Sequence, residues 1–120
     1  MKKKIAILGS TGSIGSSSLQ IIQKDRKKFQ IVLLSANSNY PVINEQIKKF
    51  KPKVFVINDE NVYKKIKKKY EKKKIKILNN FDDLKFKILK LDITISAIVG
   101  IAGLEPTIKF AKISKKILLA

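Results

Sequence analysis

The sequence has no cysteine and no histidine. Without cysteine there can be no disulfide, no thiolate metal site and no cysteine nucleophile. Without histidine, the usual general base near neutral pH and the commonest metal ligand are missing as well. Acidic residues are scarce: 9 Asp plus Glu stand against 27 Lys plus Arg, a formal charge of +18 on 120 residues. Arginine is nearly absent too, since Arg26 is the sole one. Nucleic-acid contacts draw on the bidentate guanidinium fork. The lysines instead run in clusters at 2–4, 64–65, 67–69 and 72–74 with few aromatic residues between them. They read as solvated helix faces, nonspecific anion attraction following from the net charge alone. No nucleic-acid partner is expected. Long apolar runs are lacking: Ile93–Leu104 is broken by Thr94, Ser96, Gly100 and Gly103, too short to cross a bilayer. Ile5–Leu8 behind Lys2–Lys4 is too short for a signal peptide, so no membrane contact is expected and a cytoplasmic location is predicted. Any chemistry falls to Lys, Asp, Glu, Ser, Tyr or a bound cofactor.

What the chain does have is 44% hydrophobic residues, enough to fill the core of one domain, and a regular alternation of apolar runs. Ile5–Leu8, Ile31–Leu34, Val54–Ile57, Ile75–Leu78, Ile93–Ala97 and Ile117–Leu119 read as strands, the first continuous enough for a central strand buried on both faces. Between them, helical spacing appears over Ile14–Lys24, with Ile14, Leu19, Ile21 and Ile22 as its apolar residues. It appears again over Pro41–Phe50, with Val42, Ile43, Ile47 and Phe50 facing inward. A third helix carries Val62, Ile66 and Tyr70 behind a cap at Asn58 or Asp59. A short helix is expected around Asp83–Leu89 and a further one over Pro106–Lys112. Strands alternating with helices predict right-handed crossovers and an α/β fold: Rossmann-like, doubly wound, with a mainly parallel sheet and helices on both faces. A final apolar strand with no polar tail after it predicts a piece of a longer protein.

Between the first strand and first helix lies Gly9-Ser10-Thr11-Gly12-Ser13-Ile14-Gly15, where a Rossmann phosphate loop belongs. Gly9 permits a tight turn out of the strand, Gly12 lets the backbone approach a diphosphate, and Gly15 lets the helix pack close to the sheet. The first-turn N–H groups then face the anion, helped by the helix dipole, and Ser10, Thr11 and Ser13 can add hydroxyl donors. The plainer alternative is a glycine turn with no ligand. From Lys27 to Asn44 there is no acid, and the second strand runs out into Ser35-Ala36-Asn37-Ser38-Asn39. An NAD site places a carboxylate there for the ribose 2′-hydroxyl, so its absence favours NADP. The alternative is a polar turn ahead of Pro41.

The segment Ala97–Leu104, with Gly100 and Gly103, suits close packing against a cofactor or a structural turn. Asp82-Asp83, the one aspartate pair, reads as a helix cap more readily than as a metal site, which needs several converging oxygens. No catalytic centre and no metal ligand set is visible.

GSTGSIG, Glu45-Gln46 with Phe50 and Pro52, Ala97–Thr107 (AIVGIAGLEPT) and Lys116–Ala120 together resemble the N-terminal portion of the 1-deoxy-D-xylulose 5-phosphate reductoisomerase family. The resemblance runs from Ile5 to the last residue. It implies that residues 1–120 are an NADPH-binding domain in which Thr11, Gly12, Ser13 and Ile14 contact the cofactor. Asn37, Ser38 and Asn39 would lie near its adenosine 2′-phosphate, although the family often has glycine and a basic residue where Asn37 and Ser38 stand. It implies NADPH-dependent isomerisation and reduction of the sugar phosphate to 2-C-methyl-D-erythritol 4-phosphate by a full-length homodimer. The carboxylates for its divalent metal (Mg or Mn), the substrate-phosphate ligands and the C-terminal domain would lie beyond residue 120. The fragment alone would then be inactive. Two rival readings stay open. One is the cofactor domain of another NADP oxidoreductase such as a semialdehyde dehydrogenase. The other is a non-catalytic basic binding module.

Overall fold

Burial on both sides turns the continuous apolar runs into strands. In the computed structural model, which describes residues 1–85, 89–98, 100 and 103–119, the strands are Lys3–Leu8 (β1), Phe29–Ala36 (β2), Val54–Ile57 (β3), Lys76–Leu78 (β4), Ile93–Ser96 (β5) and Lys116–Leu119 (β6). The helices are Ser13–Gln23 (α1), Tyr40–Phe50 (α2), Glu60–Lys69 (α3) and Leu104–Ile113 (α4). Among the described residues the strands form one parallel sheet in the order β4-β3-β2-β1-β5-β6. The chain walks outward from β1 to β4, then returns to β1's other side. That is the Rossmann-like, doubly wound arrangement the alternation predicts.

Alternate strand residues feed two cores. Ile5, Ile7, Phe55 and Ile57 pack with Leu19 of α1, Ile43 and Ile47 of α2 and Ile66 of α3 on one face. Ala6, Leu8, Val54 and Val56 pack with Phe110 of α4 on the other. One irregularity interrupts this alternation. Ile5 pairs with Ile31 but Ala6 pairs with Leu33, so Val32 is an extra residue in β2. In consequence the consecutive residues Val32 and Leu33 both join the α4-side core. The bulge resets the phase, and Ser35 comes to lie opposite Leu8, beside the turn into α1.

Capping sets where the helices begin. Asn39 Oδ1 accepts the Val42 N–H at 3.3 Å to start α2, and Asp59 Oδ2 accepts the Val62 N–H at 3.0 Å to start α3. Lysines fill the last turns of both helices, where they oppose the carbonyl end of the dipole. The lysine clusters of α3 are exposed, as solvated faces.

Three sequence expectations change. In α1 the buried residues are Gly15, Leu19 and Ile22, whereas Ile14 is 50% and Ile21 68% exposed. In α2, Gln46 takes an inward position, and Val42 and Phe50 are only half-buried. Of the helix expected at Asp83–Leu89, residues 86–88 lie outside the described residues. The start of that segment is a turn closed by the Leu84 N–H on the Phe81 carbonyl at 3.2 Å. There Asn80 Oδ1 accepts the Asp82 amide at 2.9 Å, a local bond that competes with helix formation. Asp82 and Asp83 are therefore the central residues of that turn and cap no described helix.

Candidate functional site

The direction of the chain reverses between β1 and β5, and open parallel sheets bind ligands at the strands' carboxyl ends at such a switch. The Gly9–Gly15 loop lies there. Gly9 leaves β1 with φ +80°, a left-handed conformation that favours glycine, and a β-carbon on it would come within 3.1 Å of the Ala97 backbone after β5. Gly15 is buried, and a β-carbon there would lie 2.2 Å from the Gly9 carbonyl oxygen. These two glycines serve the chain's own turn and packing. Gly12 differs. Its backbone is extended (φ −75°, ψ 176°), and a β-carbon would meet nothing nearer than the Gly9 oxygen at 3.8 Å.

The amide inventory of the loop is uneven. The Gly9 N–H donates to both the carbonyl and the hydroxyl of Ser35, at 3.0 and 3.1 Å, and the Ser10 N–H donates to the same carbonyl at 2.8 Å. The next amide with a main-chain partner is Ser16, bonded to the Gly12 carbonyl at 2.9 Å. The amides from Thr11 to Gly15 thus have no protein acceptor among the described residues. Gly12 offers no side-chain cap, and the first turn of α1 carries no acid. Unpaired N–H groups at the positive end of a helix are a donor set that can cradle an anion, with the buried Gly15 at its inner limit. By contrast, α2 spends its first amides on the side chain and carbonyl of Asn39, and α3 carries both the Asp59 cap and Glu60.

Thr11, Gly12, Ser13 and Ile14 all lie in this loop, with Gly12, Ser13 and Ile14 exposed. Ser10 corrects the sequence reading. Its hydroxyl is fully buried and bonded to Gln46, so it is no donor to a ligand. Asn37, Ser38 and Asn39 form an exposed rim at the carboxyl end of β2, the strand next to β1. The backbone of Asn37 is held by the Asp59 N–H at 3.0 Å. The cap bond occupies Asn39 Oδ1, leaving its amide nitrogen, the Asn37 side chain and the Ser38 hydroxyl as donors. The stretches 5–23 and 29–47, which hold both cradle and rim, contain no lysine or arginine.

Of the Ala97–Leu104 segment, Val99, Ile101 and Ala102 lie outside the described residues. Gly103 serves packing, because a β-carbon there would lie 2.6 Å from the Ile98 side chain. A cavity of about 360 Å³ opens at this end of the sheet between Asn58, Asn80, Ile98 and Pro106. A larger one, about 480 Å³, lies at the opposite edge, around Lys51, Lys53, Tyr70 and Ile75, away from the cradle. Displaced ionisations also lie away from it. At the amino end of β5, the Lys4 N–H and then Lys115 hold the Asp92 carboxyl below its ordinary range. Burial raises the Tyr70 phenol, whose hydroxyl donates to Asn44 Oδ1.

Two supporting residues escape a motif-based reading: Ser35, which accepts two loop amides, and Gln46, which grips Ser10. Each carries a signal in hindsight. Ser35 is polar inside a buried strand, and Gln46 is polar between Ile43 and Ile47 on the inward face of a helix.

Comparison with known proteins follows this geometry. Residues 5–120 match the family model for 1-deoxy-D-xylulose 5-phosphate reductoisomerase. A reductoisomerase of that name from Pelagibacter ubique (strain HTCC1062) is 45% identical over 122 residues, covering 98% of this chain and 31% of the relative. One from Phocaeicola vulgatus is 39% identical over 122 residues, covering 100% and 32%. Among solved structures, the Zymomonas mobilis reductoisomerase in complex with NADPH aligns with a TM-score of 0.89 at 30% identity, over 100% of this chain and 32% of that one. A reductoisomerase in complex with NADPH, fosmidomycin and magnesium aligns at 0.84 and 31% identity, over 98% and 30%. The chain thus spans just under a third of the length of the curated relatives it matches, 31% and 32%.

Proposed function

Because this chain belongs to the 1-deoxy-D-xylulose 5-phosphate reductoisomerase family, we propose that residues 1–120 form the NADPH-holding domain of such an enzyme. The observation that carries the reading is the cradle itself: open amides from Thr11 to Gly15 at the uncapped, acid-free start of α1. The dinucleotide's diphosphate fits this donor set, because N–H groups and a helix dipole stabilise an anion without any cationic side chain. Space beside Gly12 that the chain leaves unfilled is where the diphosphate would approach. Thr11 and Ser13 add hydroxyls with no protein partner among the described residues. The exposed side chain of Ile14 offers an apolar contact beside the cradle. Asn37, Ser38 and Asn39 take the adenosine 2′-phosphate, with no carboxylate between Lys27 and Asn44 to repel it.

The bound nucleotide supplies the hydride for reduction of the rearranged sugar phosphate. This chain's part is to bind and orient it. A divalent metal does not fit here: among the described residues no three acidic side chains come together to hold one. The metal ligands, the catalytic residues and the C-terminal domain are then contributed by the remainder of a full-length enzyme, a homodimer. No helix among the described residues is long and apolar enough to cross a membrane.

Fluorescence titration of the chain with NADPH and NADH tests the assignment. NADPH is expected to bind more tightly, and Gly12→Val to abolish binding of both. Matching curves for the two nucleotides would remove the rim from the 2′-phosphate, and undiminished binding by Gly12→Val would remove the diphosphate from the cradle.

A further inference from the structure

We propose that Gln46 is a positioning residue for the cradle, holding the peptide between Ser10 and Thr11 in the orientation that presents the Thr11 N–H to a ligand. The proposal rests on the cofactor reading above. Gln46 sits on the core-facing side of α2 and is 5% exposed. Burying a primary amide is unfavourable unless its nitrogen and oxygen both find hydrogen-bond partners, and leucine would fill an inward position between Ile43 and Ile47 without that requirement. Gln46 meets it with one residue. Its Nε2 donates to the Ser10 carbonyl at 2.9 Å, and its Oε1 accepts the Ser10 hydroxyl at 2.8 Å. Ser16 Oγ donates to the same carbonyl at 3.3 Å.

The consequence follows from peptide geometry. A trans peptide is planar, with its C=O and N–H directed oppositely. Holding the Ser10 oxygen inward toward Gln46 therefore turns the Thr11 N–H away from the core, where it has no protein acceptor among the described residues. This peptide rotates about Ser10 ψ and Thr11 φ, and apart from the longer Ser16 bond nothing else in the loop holds its oxygen among the described residues. The clasp from α2 does. Gln46 touches no ligand; it acts through Ser10.

Two variants and two nucleotides test this. Gln46→Leu removes the clasp. It is expected to raise the dissociation constants of NADPH and NADH by a similar factor, roughly tenfold, because the diphosphate is common to both. Hydrogen exchange across β3 should keep its protection in the absence of nucleotide, showing that the fold survives the change. Gln46→Glu keeps the shape and the hydroxyl bond but sets an oxygen against the Ser10 carbonyl. It should weaken binding of NADP+ at neutral pH and recover as the pH is lowered, when the protonated carboxyl again donates. A merely structural role would lower the melting temperature without that recovery. Unchanged affinity in a folded Gln46→Leu, or a loss confined to NADPH, overturns the proposal. If Gln46→Leu does not fold, Gln46→Glu decides, and weakened binding that is indifferent to pH overturns it. Should the unsubstituted protein bind neither nucleotide, the cofactor reading itself falls and this role with it.

Discussion

Residue by residue, the loop's three glycines do different work in space. The motif spacing assigns Gly15 to packing and Gly12 to the approach of a ligand. The structure names what each missing β-carbon makes room for: at Gly15 the Gly9 carbonyl, at Gly12 nothing in the chain nearer than 3.8 Å. Their alanine variants should therefore diverge. Gly15→Ala is expected to cost about 2–3 kcal/mol of stability by overpacking against rigid backbone. Gly12→Ala should cost under about 1 kcal/mol, the size of a helix-cap effect. Denaturant unfolding of the two variants measures this, and equal losses would contradict the distinction. Ser10 shows the limit of motif reading from the other side. As a hydroxyl in a phosphate loop it reads as a ligand donor, because nothing nearby reveals that Gln46, 36 residues on, claims it.

The same contrast governs whole elements. β1 and β3 were legible as unbroken apolar runs because both faces of the sheet are covered there, α2 by its helical spacing from Pro41 on, and α3 because a cap precedes an amphipathic run. The Val32 bulge was not legible, since it exists only in the register between β1 and β2. The expected helix at Asp83–Leu89 gave way at its start to a turn that Asn80 supports, a local bond that helical spacing does not register. Where three strands meet, Asp92 joins β1 to β5 and β6. Its carboxylate accepts the Lys4 N–H at 2.8 Å and faces Lys115 Nζ at 3.2 Å, while its carbonyl accepts the Lys116 N–H at 3.0 Å. Both side-chain contacts favour the ionised form and lower its pKa. The stability this contributes is present above the unfolded carboxyl pKa of about 4 and is lost as the pH falls through the lower folded value. Asp92→Asn should thus melt below the unsubstituted protein at neutral pH, with the gap closing on acidification. A gap independent of pH, followed by thermal melts across the acid range, would show that the charge is irrelevant there.

For the molecule as a whole, the fold class was the most legible property, because six apolar runs separated by helices leave few topologies. The most conspicuous number in the sequence, a charge of +18, says least about the candidate site. Cradle and rim lie in two stretches that carry no basic residue, so the anion would be held by amides and a helix dipole while the lysines sit elsewhere. Attraction and grip are thereby assigned to different groups, and amine chemistry can pull them apart. Exhaustive acetylation would reverse the net charge from +18 to −8 yet leave the backbone donors as they are. Stopped-flow mixing with NADPH should then show slower capture, which added salt speeds instead of slowing, with an unaltered escape rate. Faster escape would mean that lysine ammonium groups reach into the grip after all.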